Sequence, residues 1–160
     1  MITLIMQTKK VYSGQKMNNE IILTEENIIQ LEAGEVKHAI KDSSNGFISF
    51  GEAYFSKIKH GYVKGWKKHR EMTLNLVVPH GKVVFIILNI DKQKEYHFNK
   101  YELSADNNCR LTIPPSTWFA FKGLGSPFSL VLNIASIIHD PNEVESLDIK
   151  KIVFDWESLE

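Results

Sequence analysis

Lys64-Gly65-Trp66-Lys67-Lys68-His69-Arg70-Glu71-Met72-Thr73-Leu74-Asn75 is the stretch that decides how this chain folds. Taken with a period of two, Lys67, His69, Glu71, Thr73 and Asn75 share one face, and Met72, Leu74, Leu76 and Val78 the other. A strand that gives its apolar face to a core gives its polar face to water, which lies outside a sheet or inside a barrel. In the second case the strand lines a binding site, with Lys67, His69, Glu71, Thr73 and Asn75 directed inward.

Working outward, β-branched and aromatic runs recur at 21–23, 36–40, 47–58, 72–78, 83–90, 96–98, 109–113 and 128–135. Turn signals separate them: Gly34-Glu35, Asp42 to Gly46, His60-Gly61, Pro79-His80-Gly81, Asp106 to Asn108, Pro114-Pro115 and Gly123 to Pro127. Short strands punctuated in this way predict an all-β sandwich or barrel. The Pro79-His80-Gly81 passage reads as a hairpin tip between two long central strands. Helix is expected only at 24–31, where Thr24 can cap, and at 142–147 after the Asp140-Pro141 turn.

Length and composition narrow the classes. The 160 residues, 43% hydrophobic, suit a single domain over 1–160. Nineteen basic residues balance nineteen acidic ones, so no net field recommends nucleic acid or an anionic membrane as partner. One cysteine, Cys109, cannot form an internal disulfide, which fits a reducing cytoplasm. Residues 1–6 are apolar but run at once into Gln7, Lys9 and Lys10, and read as a first strand, not a signal peptide. Asn89 and Asn133 interrupt the longest apolar runs, which fall far short of a bilayer span.

The order of segments resembles a known family. Gly51-Glu52 with Tyr54-Phe55-Ser56, Val63 to His69, Met72-Thr73, Asn75 to Pro79, Ile113-Pro114-Pro115, Trp118 to Phe121, Gly123-Leu124-Gly125, Leu132-Asn133 and His139 to Glu143 are similar to the dTDP-4-dehydrorhamnose 3,5-epimerase branch of the cupin superfamily. The resemblance implies a double-stranded β-helix, or jelly-roll barrel, with short helical turns. It implies a nucleotide-linked keto-deoxy sugar of surface-polysaccharide biosynthesis as partner, and a homodimer paired through N-terminal strands. Epimerisation beside a keto group needs a base on one face of the sugar and an acid on the other. The family supplies a histidine with a carboxylate partner, and a tyrosine opposite. Lys67 stands in that histidine's place, Ile138 in the tyrosine's, and Phe119 where the family has a second histidine. A non-catalytic sugar-binding cupin is therefore the alternative to an epimerase or isomerase.

The residues themselves offer substitutes. His69 has a reference pKa near neutrality and is the first candidate for proton transfer, against a structural role at the barrel mouth. Lys67 reads as a base, as an anion holder, or as a solvated surface lysine. Tyr54 can supply the acid missing at Ile138, or merely pack its ring. Glu71 can orient His69 or pair with Lys67, or be a rim charge. Thr73, Asn75 and Asn133 are polar groups on apolar strands, open to sugar hydroxyls or to a buried network. Trp118 and Phe119, with Trp66 and Phe121, can stack on sugar or base, or fill the core. Lys64 takes the place of a family arginine at the diphosphate and keeps the charge without the bidentate fork. No cofactor is expected. The same holds for metal, because His38, His60, His80, His97 and His139 are scattered without ligand spacing.

Overall fold

The computed structural model describes residues 20–159. Twelve strands follow in chain order: β1 (Ile22–Glu25), β2 (Ile28–Leu31), β3 (Gly34–Lys37), β4 (Glu52–Lys59), β5 (Val63–His69), β6 (Leu74–His80), β7 (Lys82–Ile90), β8 (Tyr96–Ser104), β9 (Cys109–Ile113), β10 (Trp118–Gly123), β11 (Phe128–Ala135) and β12 (Val144–Ser146). One sheet has the order β1-β9-β6-β11-β4 and faces a second of order β12-β5-β10-β7-β8; β2 and β3 form a separate pair. Every pairing is antiparallel. This is the cupin jelly roll, all-β as the turn spacing predicted.

The sheets close on Leu74, Leu76 and Val78 of β6, Val83, Phe85 and Ile87 of β7, Leu111 and Ile113 of β9, and Val131 of β11. Each such side chain is worth roughly 1.5–3 kcal/mol on burial. The unbroken apolar run of β7 has a simple cause. Its alternate residues Val84, Ile86 and Leu88 face away from the barrel, where Trp66, Ala120, Ile152 and Leu159 cover them. Both faces of that strand are dry.

Three expectations need correction. The Lys64 to Asn75 stretch is two strands: β5 ends at His69 and β6 begins at Leu74. Arg70 to Thr73 turns the chain from one sheet to the other, and the core takes Leu74, Leu76 and Val78 on its inner side. Asn75 therefore lies on the outer face of its sheet. Pro79 to Gly81 is likewise a corner between opposite sheets and not a hairpin tip. Neither predicted helix forms. Thr24 pairs with Arg110 and Ile28 with Lys37, while Val144 pairs with His69, so strand partners override local capping signals. One short 3-10 turn, Ile149–Lys151, is capped by the Asp148 carboxylate, which accepts from Lys150 N. The first strand expected at 1–6 lies outside the described residues. No helix of the described residues is long and apolar enough to cross a membrane.

Candidate functional site

β5 forms one wall of the barrel interior. Lys67 pairs with Phe119 and Lys64 with Phe121, and both phenylalanines pack against the core between the sheets. Lys64 and Lys67 are three residues apart, so plain alternation would place them on opposite faces. A register shift at Gly65 brings them to one face: three residues of β5 span two of β10. This bulge requires glycine. Gly65 has φ +152°, and a Cβ there would come within 2.2 Å of the Ala120 Cβ.

His69 follows on the same face, 8% exposed, with its ring stacked on Phe119 at a centroid distance of 6.4 Å. Its Nδ1 meets Glu143 Oε2 at 2.6 Å. Glu143, 7% exposed, is carried in by the Asp140-Pro141 turn, where Glu143 N donates to Asp140 O at 3.0 Å and Asn142 N to Asp140 Oδ1 at 2.8 Å. The Oε1 atom accepts from Glu71 N at 2.9 Å and Met72 N at 2.8 Å. Burial works to raise the Glu143 pKa, but the bonds from His69 and the two amides together hold it below the usual carboxylate range. An ionised carboxylate on Nδ1 sets the tautomer. Nδ1 donates to it, and Nε2 has no protein partner among the described residues.

The opposite wall belongs to the other sheet. Asn133 of β11 pairs with Tyr54 of β4 on one side and with the core residue Leu76 on the other, so Asn133 and Tyr54 face the interior. Burial first, and the charge of Glu52 second, push the Tyr54 phenol up, so it keeps its proton. Asn133 Nδ2 donates to Val131 O at 3.2 Å. Lys64 Nζ donates to Ser56 Oγ at 2.9 Å and Lys57 O at 2.7 Å; its pKa is lowered by burial and by the neighbouring Lys67 charge.

The inner faces gather buried His69, Phe119 and Asn133, with Lys64, Lys67 and Tyr54 exposed at their mouth, and four expected residues lie elsewhere. Asn75 Oδ1 accepts from Arg110 Nη1 at 2.6 Å and from Thr112 Oγ1 at 2.7 Å in a buried network outside the barrel. Thr73 sits in the turn, its backbone exchanging bonds with Ser136. Glu71 is exposed and contributes only its amide; the carboxylate that orients His69 is Glu143. Trp118 faces outward beneath Lys68 Nζ at 4.9 Å, and Trp66, fully buried, packs outside against Trp156. Ile138 is 71% exposed. Sequence reasoning missed Glu143, 74 residues from His69. It stood within the His139 to Glu143 run that carried the resemblance, and the family's carboxylate partner was the signal for it.

A cleft of about 350 Å³ adjoins the pair, lined by Arg70, Glu71, Ile137, Ile138, Asp140, Asn142 and Glu143. Contrary to the scattered spacing, Asp91, Glu95 and His97 converge at the exposed β7–β8 turn, within reach of one ion among the described residues. Asp91 Oδ2 meets His97 Nε2 there at 3.0 Å, and the two groups satisfy each other.

A jelly roll with a histidine–carboxylate pair on its inner wall defines the class, a cupin barrel with a hydrogen-bonded polar pair in its interior. No protein-family model matches the sequence. A dTDP sugar isomerase of Desulfovibrio desulfuricans G20 is 32% identical, with a TM-score of 0.79 over 88% of this chain and 92% of that one. A dTDP-4-dehydrorhamnose 3,5-epimerase of Sulfolobus tokodaii shares the fold at TM-score 0.73 and 19% identity, over 88% and 84%. A probable low-salt glycan biosynthesis epimerase of Haloferax volcanii is 26% identical over 106 residues, 64% of this chain and 66% of that protein, just under two thirds of its length. The chain belongs to the dTDP-4-dehydrorhamnose 3,5-epimerase-like family of cupins.

Proposed function

We propose that this protein epimerises or isomerises a nucleotide-linked 4-keto-6-deoxy sugar for a surface polysaccharide, with His69 as base and Tyr54 as acid. The observation that carries the reading is the His69–Glu143 pair on one inner wall, facing a protonated Tyr54 on the other. A keto group acidifies the carbons beside it. His69 Nε2 takes a proton from one of them, and Glu143 stabilises the imidazolium that forms. Tyr54 returns a proton to the opposite face of that carbon, which inverts it. Lys64, at the mouth, suits the diphosphate, and Asn133 and Phe119 suit the sugar hydroxyls and ring. The dTDP named for the Desulfovibrio isomerase makes dTDP the nucleotide to test first.

The fold needs no further domain for this site, and one free, buried cysteine accords with a cytoplasmic setting. Ile28, Ile29, Leu31 and Val36 leave the β2–β3 pair exposed and apolar, which favours a homodimer. A second reading, a silent sugar-binding cupin, draws on Lys67 and Ile138 at the places of the family's histidine and tyrosine. Calorimetric titration with dTDP-4-keto-6-deoxyglucose, with dTDP and UDP as controls, followed by NMR of the mixture, separates the readings. Binding with a new stereoisomer or keto isomer supports the enzyme. Binding with unchanged sugar supports the silent cupin, and no binding contradicts both.

A further inference from the structure

We propose that residues 147–159 are a strap that positions Glu143 against His69, and that Lys122 is the positioning residue that locks it, an inference that rests on the function proposed above. Glu143 is the only buried residue between Ser136 and Ile152. Its neighbours give it no apolar burial to ride on: residues 138–142 are exposed, and none of Val144, Glu145 and Ser146 in β12 is buried. β12 is an edge strand of three residues, with β5 as its only strand partner among the described residues. Ordering such a stretch costs backbone entropy that a short edge pairing does not offset. The carboxylate is therefore fixed from the two ends of its segment. Upstream, Ser136 N donates to Thr73 O at 3.0 Å and Ser136 Oγ accepts from Thr73 N at 2.9 Å. Downstream, the tie is the strap.

The strap follows β5 along its length. Val144 pairs with His69 and Ser146 with Lys67, and Leu147 N donates to Trp66 O at 3.0 Å. Trp156 then packs on Trp66, and Ile152 and Leu159 are buried in one cluster with Val84, Ile86 and Ala120. Lys122 pins the far end: it pairs with Val63, which begins β5, whereas His69 ends it. Lys122 is 7% exposed, and its Nζ donates to Trp156 O at 2.7 Å and to Leu159 O at 3.0 Å. Among the described residues these are the only side-chain hydrogen bonds from the barrel to residues 147–159. A buried ammonium without acceptors is costly, so Lys122 and the strap hold each other in place. Lys122 lies on the outer face of the sheet, two residues after Ala120, and roughly 20 Å of strand separates Val63 from His69. An effect of Lys122 on proton transfer therefore passes through the strap to Glu143. A displacement of about 1 Å in a catalytic contact costs up to roughly 10²-fold in rate.

The test uses the full chain with Lys122→Met, which keeps an apolar stem and removes the ammonium, and with Leu159→Ala, which loosens the same end of the strap. Each is measured below its melting temperature. Amide hydrogen exchange followed by NMR should speed up at least about tenfold in both variants at Arg70, Glu71 and Met72, whose amides bond to Glu143, and stay unchanged at Leu76 and Leu111 in the other sheet. With dTDP-4-keto-6-deoxyglucose, kcat for α-proton exchange should fall about 10- to 10²-fold in Lys122→Met, with KM changed less than about threefold. In a Glu143→Gln background the same substitution should cost less than about twofold more, because the carboxylate it positions is gone. Unchanged amide exchange at Arg70 to Met72, exchange that rises equally in both sheets, or a full further loss of kcat in the Glu143→Gln background overturns the proposal in favour of a purely structural Lys122. If wild type moves no sugar proton, the function proposed above fails, while amide exchange still decides whether the strap holds Glu143.

Discussion

Glu143 receives three hydrogen bonds on two oxygens, from the His69 ring and from the amides of Glu71 and Met72 just beyond it, so it ties its own segment to the end of β5. Because its pKa is depressed in the folded state, it stabilises the protein fully above the ordinary glutamate pKa. That contribution disappears as pH falls through the lower folded value. Wild type should therefore lose melting temperature as pH falls below the ordinary glutamate pKa of about 4.3, and Glu143→Gln should show a shallower acid limb with a loss of about 1–3 kcal/mol at neutral pH. Thermal melts from neutral to acid pH check it; parallel pH profiles for both proteins contradict it. Asn75 gives the complementary case. Asn75→Ala removes an acceptor from the fully buried Arg110 guanidinium and should cost about 2–3 kcal/mol while leaving dTDP affinity unchanged. A loss of dTDP affinity at unchanged stability would return Asn75 to the site. Lys67 and His69 were legible as inward groups because period-two alternation holds from Lys67 to His69, beyond the bulge. Asn75 and Thr73 were misread because nothing local in Arg70-Glu71-Met72-Thr73 announces a turn; there is no glycine or proline in it.

At the scale of the element, β5 depends on its bulge. Gly65→Ala drives a methyl into Ala120 with the backbone at φ +152°, so either the strand shifts or β10 withdraws. The expected cost is about 2–4 kcal/mol, read by chemical denaturation, and Lys64 should then lose its place beside Lys67. Wild-type stability in Gly65→Ala would show that the β5–β10 register is not strained by a side chain. Strands β7, β9 and β11 were legible from composition because they are buried on one or both faces. Helix was expected at 24–31 and 142–147 from caps and turns alone. Antiparallel partners far away in sequence, Arg110 for Thr24 and His69 for Val144, decided those segments instead.

At the scale of the whole molecule, two five-stranded sheets enclose an apolar core at one end and leave a polar mouth between β4 and β5. The outer face of the second sheet is sealed by the C-terminal segment, where Lys122 Nζ donates to Trp156 O at 2.7 Å and Leu159 O at 3.0 Å. The core and the family were legible in the sequence. The His69–Glu143 pair was not, since its carboxylate arrives from a segment that only the closed barrel brings near. The most direct measurement of the central claim is proton exchange in heavy water, with dTDP-4-keto-6-deoxyglucose followed by NMR. Wild type should place deuterium on carbon beside the carbonyl well above the buffer rate, and His69→Ala should lose that exchange by about 10²- to 10⁴-fold. Binding of the sugar nucleotide with exchange no faster than buffer, or full exchange in His69→Ala, would contradict the assignment of His69 as the base.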